Sequence, residues 1–198
     1  MILPKEFYLR EDTPQIARDL LGKVLVTRIR GVKTSGMIVE TEAYTVTDRA
    51  CHAFGYRRTK RNEIMYQEGG HAYIYICYGI HHLFNAVTNI ENEPHAVLIR
   101  AVEPLEGLPA MQKRRKAKTL STGLTAGPGS LATALGIKTD FNGCSLAGSR
   151  IAIEDRGLHI RPKEILSSQR VGINFAGPDA HLPWRFRIRG NKWTSRAK

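Results

Sequence analysis

The alternation of apolar and polar positions divides this chain into a strand-rich middle with short helices around it. A first helix is announced by Thr13-Pro14, with threonine read as the N-cap and proline as the first helical residue. Ile16, Ala17, Leu20 and Leu21 then recur at helical spacing until Gly22 ends the element. Strands are expected from Lys23 to Ile29 and from about Gly36 to Tyr44. Thr45 to Gln67 is polar, charged and without a period, and reads mainly as loop. Gly69-Gly70 leads into His71–Tyr78, rich in aromatic and β-branched residues; Gly79 marks a turn, and His82 to Val87 completes a hairpin. Ala96 to Val102 is an apolar strand interrupted by Arg100. Leu108 to Lys116 reads as a helix with a very basic end, and Leu131, Ala132 and Leu135 as a short helix after Gly127-Pro128-Gly129. Ile151 to Ile153, Ile160, and Trp184 to Ile188 read as short strands. Strands dominate and helices decorate, which predicts one α+β domain spanning residues 1–198 rather than a βαβ repeat.

Composition narrows the class. A chain of 198 residues suffices for one domain with a substantial core. No long uninterrupted apolar run occurs and the N-terminus lacks a signal-like stretch, so an intracellular protein with no membrane contact is expected. The three cysteines, Cys51, Cys77 and Cys144, have no metal or redox spacing and read as free thiols. The net charge of +12 changes the picture most. It points to a polyanionic partner, because counterion release drives binding to phosphates, or else to a protein that is merely basic.

Several residues stand out against this background. Glu40 and Glu42 lie two apart in Ile38-Val39-Glu40-Thr41-Glu42-Ala43-Tyr44, on one face of the expected strand. Such a pair either faces a cleft as a tunable base or is the solvated side of an edge strand, and the pattern does not choose between the two acids. Tyr73, Tyr75 and Cys77 share a face of the hairpin strand, with Tyr78 on the other face or at the bend before Gly79. An aromatic there either wedges into and stacks on bases or simply packs the sheet. Arg100, inside an apolar strand, requires an acidic, phosphate or water partner. Basic residues gather at Arg57, Arg58, Lys60 and Arg61, at Lys113 to Lys118, and at Arg185, Arg187, Arg189 and Lys192. The seven histidines show no metal-ligand spacing, so neither a metal nor another cofactor is expected.

Taken in order, the segments GMIVETEAY, ACHAFG, RRTKRNEIMY, AYIYICYGIHHLFNAV, VLIRAVEPLEGL, TAGPGSLATALGI and RVGINFAG resemble the alkyladenine (3-methyladenine) DNA glycosylase family, from about Phe7 to Trp193. The resemblance implies a curved, mainly antiparallel sheet with surrounding helices and a protruding β-hairpin. It implies a monofunctional enzyme of base excision repair that flips a damaged purine from double-stranded DNA and hydrolyses its N-glycosidic bond. 3-methyladenine, 7-methylguanine, hypoxanthine and etheno-adenine are the substrates it suggests. By the same resemblance Glu42 is the general base and Arg100 lies near the water and the DNA backbone. Tyr44 and Tyr75 are aromatic walls, His52 and Asn85 contact or screen the base edge, and Tyr78 is the intercalating wedge. A monomer is expected, since the surface must embrace DNA. Lys60 departs from the pattern, standing where some relatives carry proline, which implies a looser loop with added charge. His81 and His82 fall where the family varies. Two readings compete with this one: a carbohydrate glycosidase with an acidic pair, and a nucleic-acid-binding module without chemistry.

Overall fold

Eight strands join into one sheet in the computed structural model, which describes residues 1–196. In chain order they are β1 (Val24–Ile29), β2 (Val32–Tyr44), β3 (Ala72–Cys77), β4 (His81–Thr88), β5 (His95–Glu106), β6 (Ile151–Glu154), β7 (Ile165–Ser168) and β8 (Arg185–Ile188). The spatial order is β3-β4-β5-β2-β1-β6, with β8 also on β2 and β7 on β8. Every pairing is antiparallel. With α1 (Thr13–Asp19), α2 (Leu108–Arg115) and α3 (Pro128–Leu135) around the sheet, the fold is α+β as expected.

The long β2 is the spine. β5 runs along one of its sides, while β1 pairs with its first half and β8 with Glu40, Thr41 and Glu42 on the other. The β2–β5 register slips between Ile38 and Thr41, where β1 gives way to β8. A bulge of this kind bends a strand and re-aims its side chains. A separate slip falls between Ser35 and Gly36, and a Cβ on Gly36 would stand 2.6 Å from Val102 Cγ2.

Strand alternation then splits the sheet into two chemically different faces. Ala72, Ile74, Phe84, Ala86, Val97, Ile99 and Ala101 point into the main core with Ile16, Ala17 and Leu20 of α1 and Leu131, Ala132 and Leu135 of α3. Tyr73, Tyr75, Asn85, Leu98 and Arg100, their neighbours in sequence, line a cavity on the other face.

Some elements differ from the sequence reading. Asp12, not Thr13, caps α1: its carboxylate accepts the Gln15 N–H at 2.9 Å, a favourable place for a negative charge. Thr13 is drawn inside because its hydroxyl has tertiary partners, Thr88 at 3.2 Å and His95 Nδ1 at 3.0 Å. β2 and β5 are longer than expected, because their polar ends still have ladder partners. Ile160 lies in no strand, and β7, too polar and short to show as a pattern, forms against β8 instead. Short 3-10 turns at Phe54–Tyr56 and Glu63–Tyr66 interrupt the expected loop.

Candidate active site

Residues directly opposite one another across five strands lay out the floor of the cavity. Tyr73 of β3 pairs with Asn85 of β4, Asn85 with Leu98 of β5, Leu98 with Glu42 of β2, and Glu42 with Arg185 of β8. The cavity above this row is about 630 Å³ and open at one side, walled by Tyr44, Tyr75, His52 and Met65 among others. Residues 127–130 border it at the start of α3, and residues 171–175 border it on the β2 side.

The two acids of β2 have different surroundings, although both are fully buried. Glu40 Oε1 accepts from Arg185 Nε at 2.7 Å, Arg100 Nε at 3.0 Å and Ser195 Oγ at 2.8 Å. Its Oε2 accepts the Ser195 N–H at 2.6 Å. Glu42 Oε1 accepts the Val171 N–H at 2.8 Å, while Oε2 accepts Tyr44 Oη at 2.8 Å and Arg100 Nη1 at 3.2 Å. Its three donors, unlike Arg185 and Ser195, come from residues that line the cavity. Burial raises the Glu42 carboxyl above its ordinary range; Arg100, the Val171 N–H and the Tyr44 hydroxyl oppose that rise without cancelling it. Arg100, the lone arginine of an apolar strand, is therefore the cation that ties both acids together, and its guanidinium is turned inward.

Around the floor stand the aromatic groups. His52 shares a 2.8 Å hydrogen bond through Nδ1 with Tyr73 Oη and lies edge-on to Tyr75, ring centres 4.5 Å apart. Packing against these rings, and then the charge of Arg61, lower the imidazole to about 4, so it is neutral at physiological pH. Asn85 is locked by its Nδ2 donating to the Tyr73 carbonyl at 3.1 Å. Burial raises the Tyr44 and Tyr75 hydroxyls, keeping both protonated. Tyr78 is 86% exposed at the hairpin tip with a left-handed backbone, φ 51°, followed by Gly79 at φ 73°. Ile80 N–H closes this turn on the Cys77 carbonyl at 3.2 Å. Two consecutive positive φ values are a backbone that Asn-Gly pairs favour, and a bulky side chain rarely accepts the first position.

A model of the family described as methylpurine-DNA glycosylase matches residues 6–192. The chain belongs to that family. Relatives of similar length agree, each bearing the name "Putative 3-methyladenine DNA glycosylase". One from Chlamydia abortus is 47% identical over 194 residues, covering 93% of this chain and 97% of its own. Another from Clostridium acetobutylicum is 43% identical over 203 residues, covering 98% of each. A third, from Bacillus cytotoxicus, is 42% identical over 205 residues, covering 99% and 100%. This glycosylase is thus a hydrolase of N-glycosyl bonds whose partner is DNA, of the 3-methyladenine DNA glycosylase type.

Every site residue expected from the glycosylase resemblance falls in or against one cavity. Tyr44, His52, Tyr75, Tyr78, Asn85 and Arg100 line it, and Glu42 lies directly behind Tyr44 and Arg100. The third basic group fares differently. Arg185 is almost fully buried on Glu40, and the partly buried Arg187 approaches Ser168 at 3.4 Å, so these two hold the site from behind, while Arg189 and Lys192 of the same group are exposed. In the first group Arg61 lines the cavity, and Lys60 is exposed beside it. The loop they share is pinned by buried Asn62, which donates to the carbonyls of His52 at 2.9 Å and Arg57 at 2.8 Å. Sequence reasoning passed over Asn62, Asp48, Arg170 and Val171. Arg170 and Asp48 pair across 122 residues of chain, a spacing no local pattern reveals.

Proposed function

We propose that this glycosylase extrudes a damaged purine from the duplex, receives it in the aromatic cavity, and hydrolyses its bond to deoxyribose with Glu42 as general base. The observation that carries the reading is the contrast between the acids: Glu40 is spent on two arginines and Ser195, while the partners of Glu42 are themselves cavity walls. A water that takes the place of Tyr44 Oη or Arg100 Nη1, or uses the remaining lone pair of Oε1, meets the carboxylate facing the sugar. Ionised Glu42 orients and deprotonates that water and stabilises the positive charge developing on the sugar.

Extrusion costs a few kcal/mol and costs least for damaged or mispaired bases. Tyr78, projecting from the hairpin, fills the gap, while basic residues hold flanking phosphates without reading sequence. Tyr44 and Tyr75 accept any planar base but favour an electron-poor one by about 0.5–2 kcal/mol of cation–π attraction. That modest preference leaves much of the selectivity to the leaving group: purines alkylated at N3 or N7 are already cationic, and hypoxanthine or etheno-adenine requires protonation as well. Asn85, fixed by the Tyr73 carbonyl, screens the base edge against exocyclic amines, and neutral His52 contacts it. No lysine lines the cavity among the described residues, which supports hydrolysis without a Schiff base and an abasic product with the strand uncut. The protein acts on DNA as a monomer.

The test uses duplexes carrying one hypoxanthine or etheno-adenine, with methylated DNA beside them, and compares wild type with Glu42→Gln by alkaline cleavage at abasic sites. Release by wild type and none by the variant, with DNA binding retained, is expected. Binding without release from any substrate by the wild type would leave a nucleic-acid-binding module, and strand cutting before alkali would refute the monofunctional assignment.

A further inference from the structure

Behind the base cavity Asp48 and Arg170 form an ion pair in which both side chains are wholly shielded from solvent. Arg170 Nη1 and Nη2 grip the two carboxylate oxygens of Asp48. The same nitrogens donate to the carbonyls of Ala43 at 2.8 Å and Asp179 at 3.0 Å. The guanidinium lies 4.7 Å from the Tyr44 ring centre and 5.3 Å from that of Trp184, and its Nε is buried without a hydrogen-bond partner among the described residues. Removing two charges from water is rarely repaid by their attraction alone, and well-packed apolar side chains often do as well. The pair's neighbours supply a better reason for its presence. Ala43 and Tyr44 directly follow Glu42. Val171, the residue after Arg170, gives its N–H to Glu42 Oε1. Asp48 Oδ1 also accepts the Ala50 N–H at 3.0 Å, at the start of the turn that delivers His52.

We infer that the Asp48–Arg170 pair is the positioning device of this site, holding Tyr44 Oη and the Val171 N–H on the Glu42 carboxylate and balancing the charge around it. The inference rests on Glu42 being the base. Facing Glu42 are Glu40 and Tyr44 from β2, Arg100 from β5, Tyr75 from β3 and Arg170 from the segment after β7, while Arg185 of β8 is taken by Glu40. Glu40, Glu42 and Asp48 are thus matched by Arg100, Arg170 and Arg185. Neutralising Asp48 leaves Arg170 uncompensated next to Glu42. The extra positive charge favours the carboxylate, so the acid limb of the excision rate moves to lower pH.

The decisive experiment is single-turnover release of purines from methylated duplex DNA across pH, with circular dichroism to establish folding. Asp48→Asn keeps the volume and an acceptor for Ala50 while deleting the charge. It is expected to lose rate on the order of ten- to a hundredfold, as displaced catalytic groups do, with affinity for an abasic-site duplex unchanged and the acid limb displaced downward. Asp48→Glu keeps the charge and shifts the guanidinium, and Arg170→Lys keeps the charge but loses the fork; both should lose rate with the limb in place. These two variants decide the matter if Asp48→Asn does not fold. Wild-type rates in the folded variants, or losses that track only the unfolded fraction with no limb movement in Asp48→Asn, overturn the inference. Glu42→Gln is run alongside. If it still excises, the inference falls together with the reading of Glu42; if it is inert while the Asp48 and Arg170 variants match wild type, only the positioning role falls.

Discussion

Glu40 and Glu42 are the same residue type on the same strand face, and their surroundings give them opposite relations to stability. Removing the charge of Glu40 leaves Arg100 and Arg185 buried with only Glu42 between them. Glu40→Gln is expected to destabilise the fold by about 3–5 kcal/mol, read from the midpoint of urea unfolding. Glu42 behaves the other way. Its folded-state pKa is raised, chiefly by burial, so the native state binds its proton more readily than the unfolded chain and stability falls as pH rises through that range. Protonation offsets part of that burial, so Glu42→Gln, although it sets an amide N–H against one of the donors to the carboxylate, should lose less stability than Glu40→Gln while losing excision. A loss as large as that of Glu40→Gln would contradict the contrast between the two acids. On the proposal that Glu42 is the base, the same shift predicts an acid limb of excision above the ordinary carboxylate range, read from the single-turnover rate across pH.

The hairpin made by β3 and β4 couples an element's geometry to its work. Tyr73 and Tyr75 face the cavity because strand side chains alternate, and Tyr78 leaves the alternation at a turn of positive φ. A tyrosine held left-handed costs about 1–2 kcal/mol relative to an ordinary backbone conformation, a strain expected where a side chain is presented for use. Tyr78→Asn converts the turn to Asn-Gly, the favoured pair for this geometry. Its melting temperature should equal or exceed that of wild type. Excision from duplex DNA should fall well below wild type, and excision from single strands, where no gap needs filling, should fall less. Equal losses on both substrates would contradict the wedge.

Across the whole molecule, charge and fold divide the labour. The sheet turns one face to a core built with α1 and α3 and the other to the cavity. The excess of positive charge makes DNA affinity fall steeply with salt, each phosphate contact adding about −0.9 to the slope of log K against log salt. Lys60 is exposed next to Arg61 on the cavity rim, so Lys60→Ala should reduce that slope by about one unit. Arg150, paired with Asp140 just before β6 and outside the cavity lining, should leave it unchanged on substitution by alanine. Equal slopes for both variants and wild type would remove Lys60 from the phosphate contacts.

The strand pattern, the hairpin with its aromatic side chains and the class α+β were legible in the sequence because alternation, turn residues and β-branched runs are local properties. The ordered motifs likewise sufficed for the family. Element ends were less legible: Thr13 reads as a cap until Thr88 and His95 claim its hydroxyl, and β7 exists only because β8 pairs with it. The choice between Glu40 and Glu42 was beyond the pattern, since two positions on one strand face have the same local signature. What separates them is which of Arg185, Ser195 and Val171, all more than a hundred residues away, closes on which carboxylate. The inward turn of Arg185 and the Asp48–Arg170 pair were decided in the same way, by burial and by partners distant in the chain. Local physics set the elements of this glycosylase; the charge pairing inside its site came from desolvation, which acts only after the chain has folded around those groups.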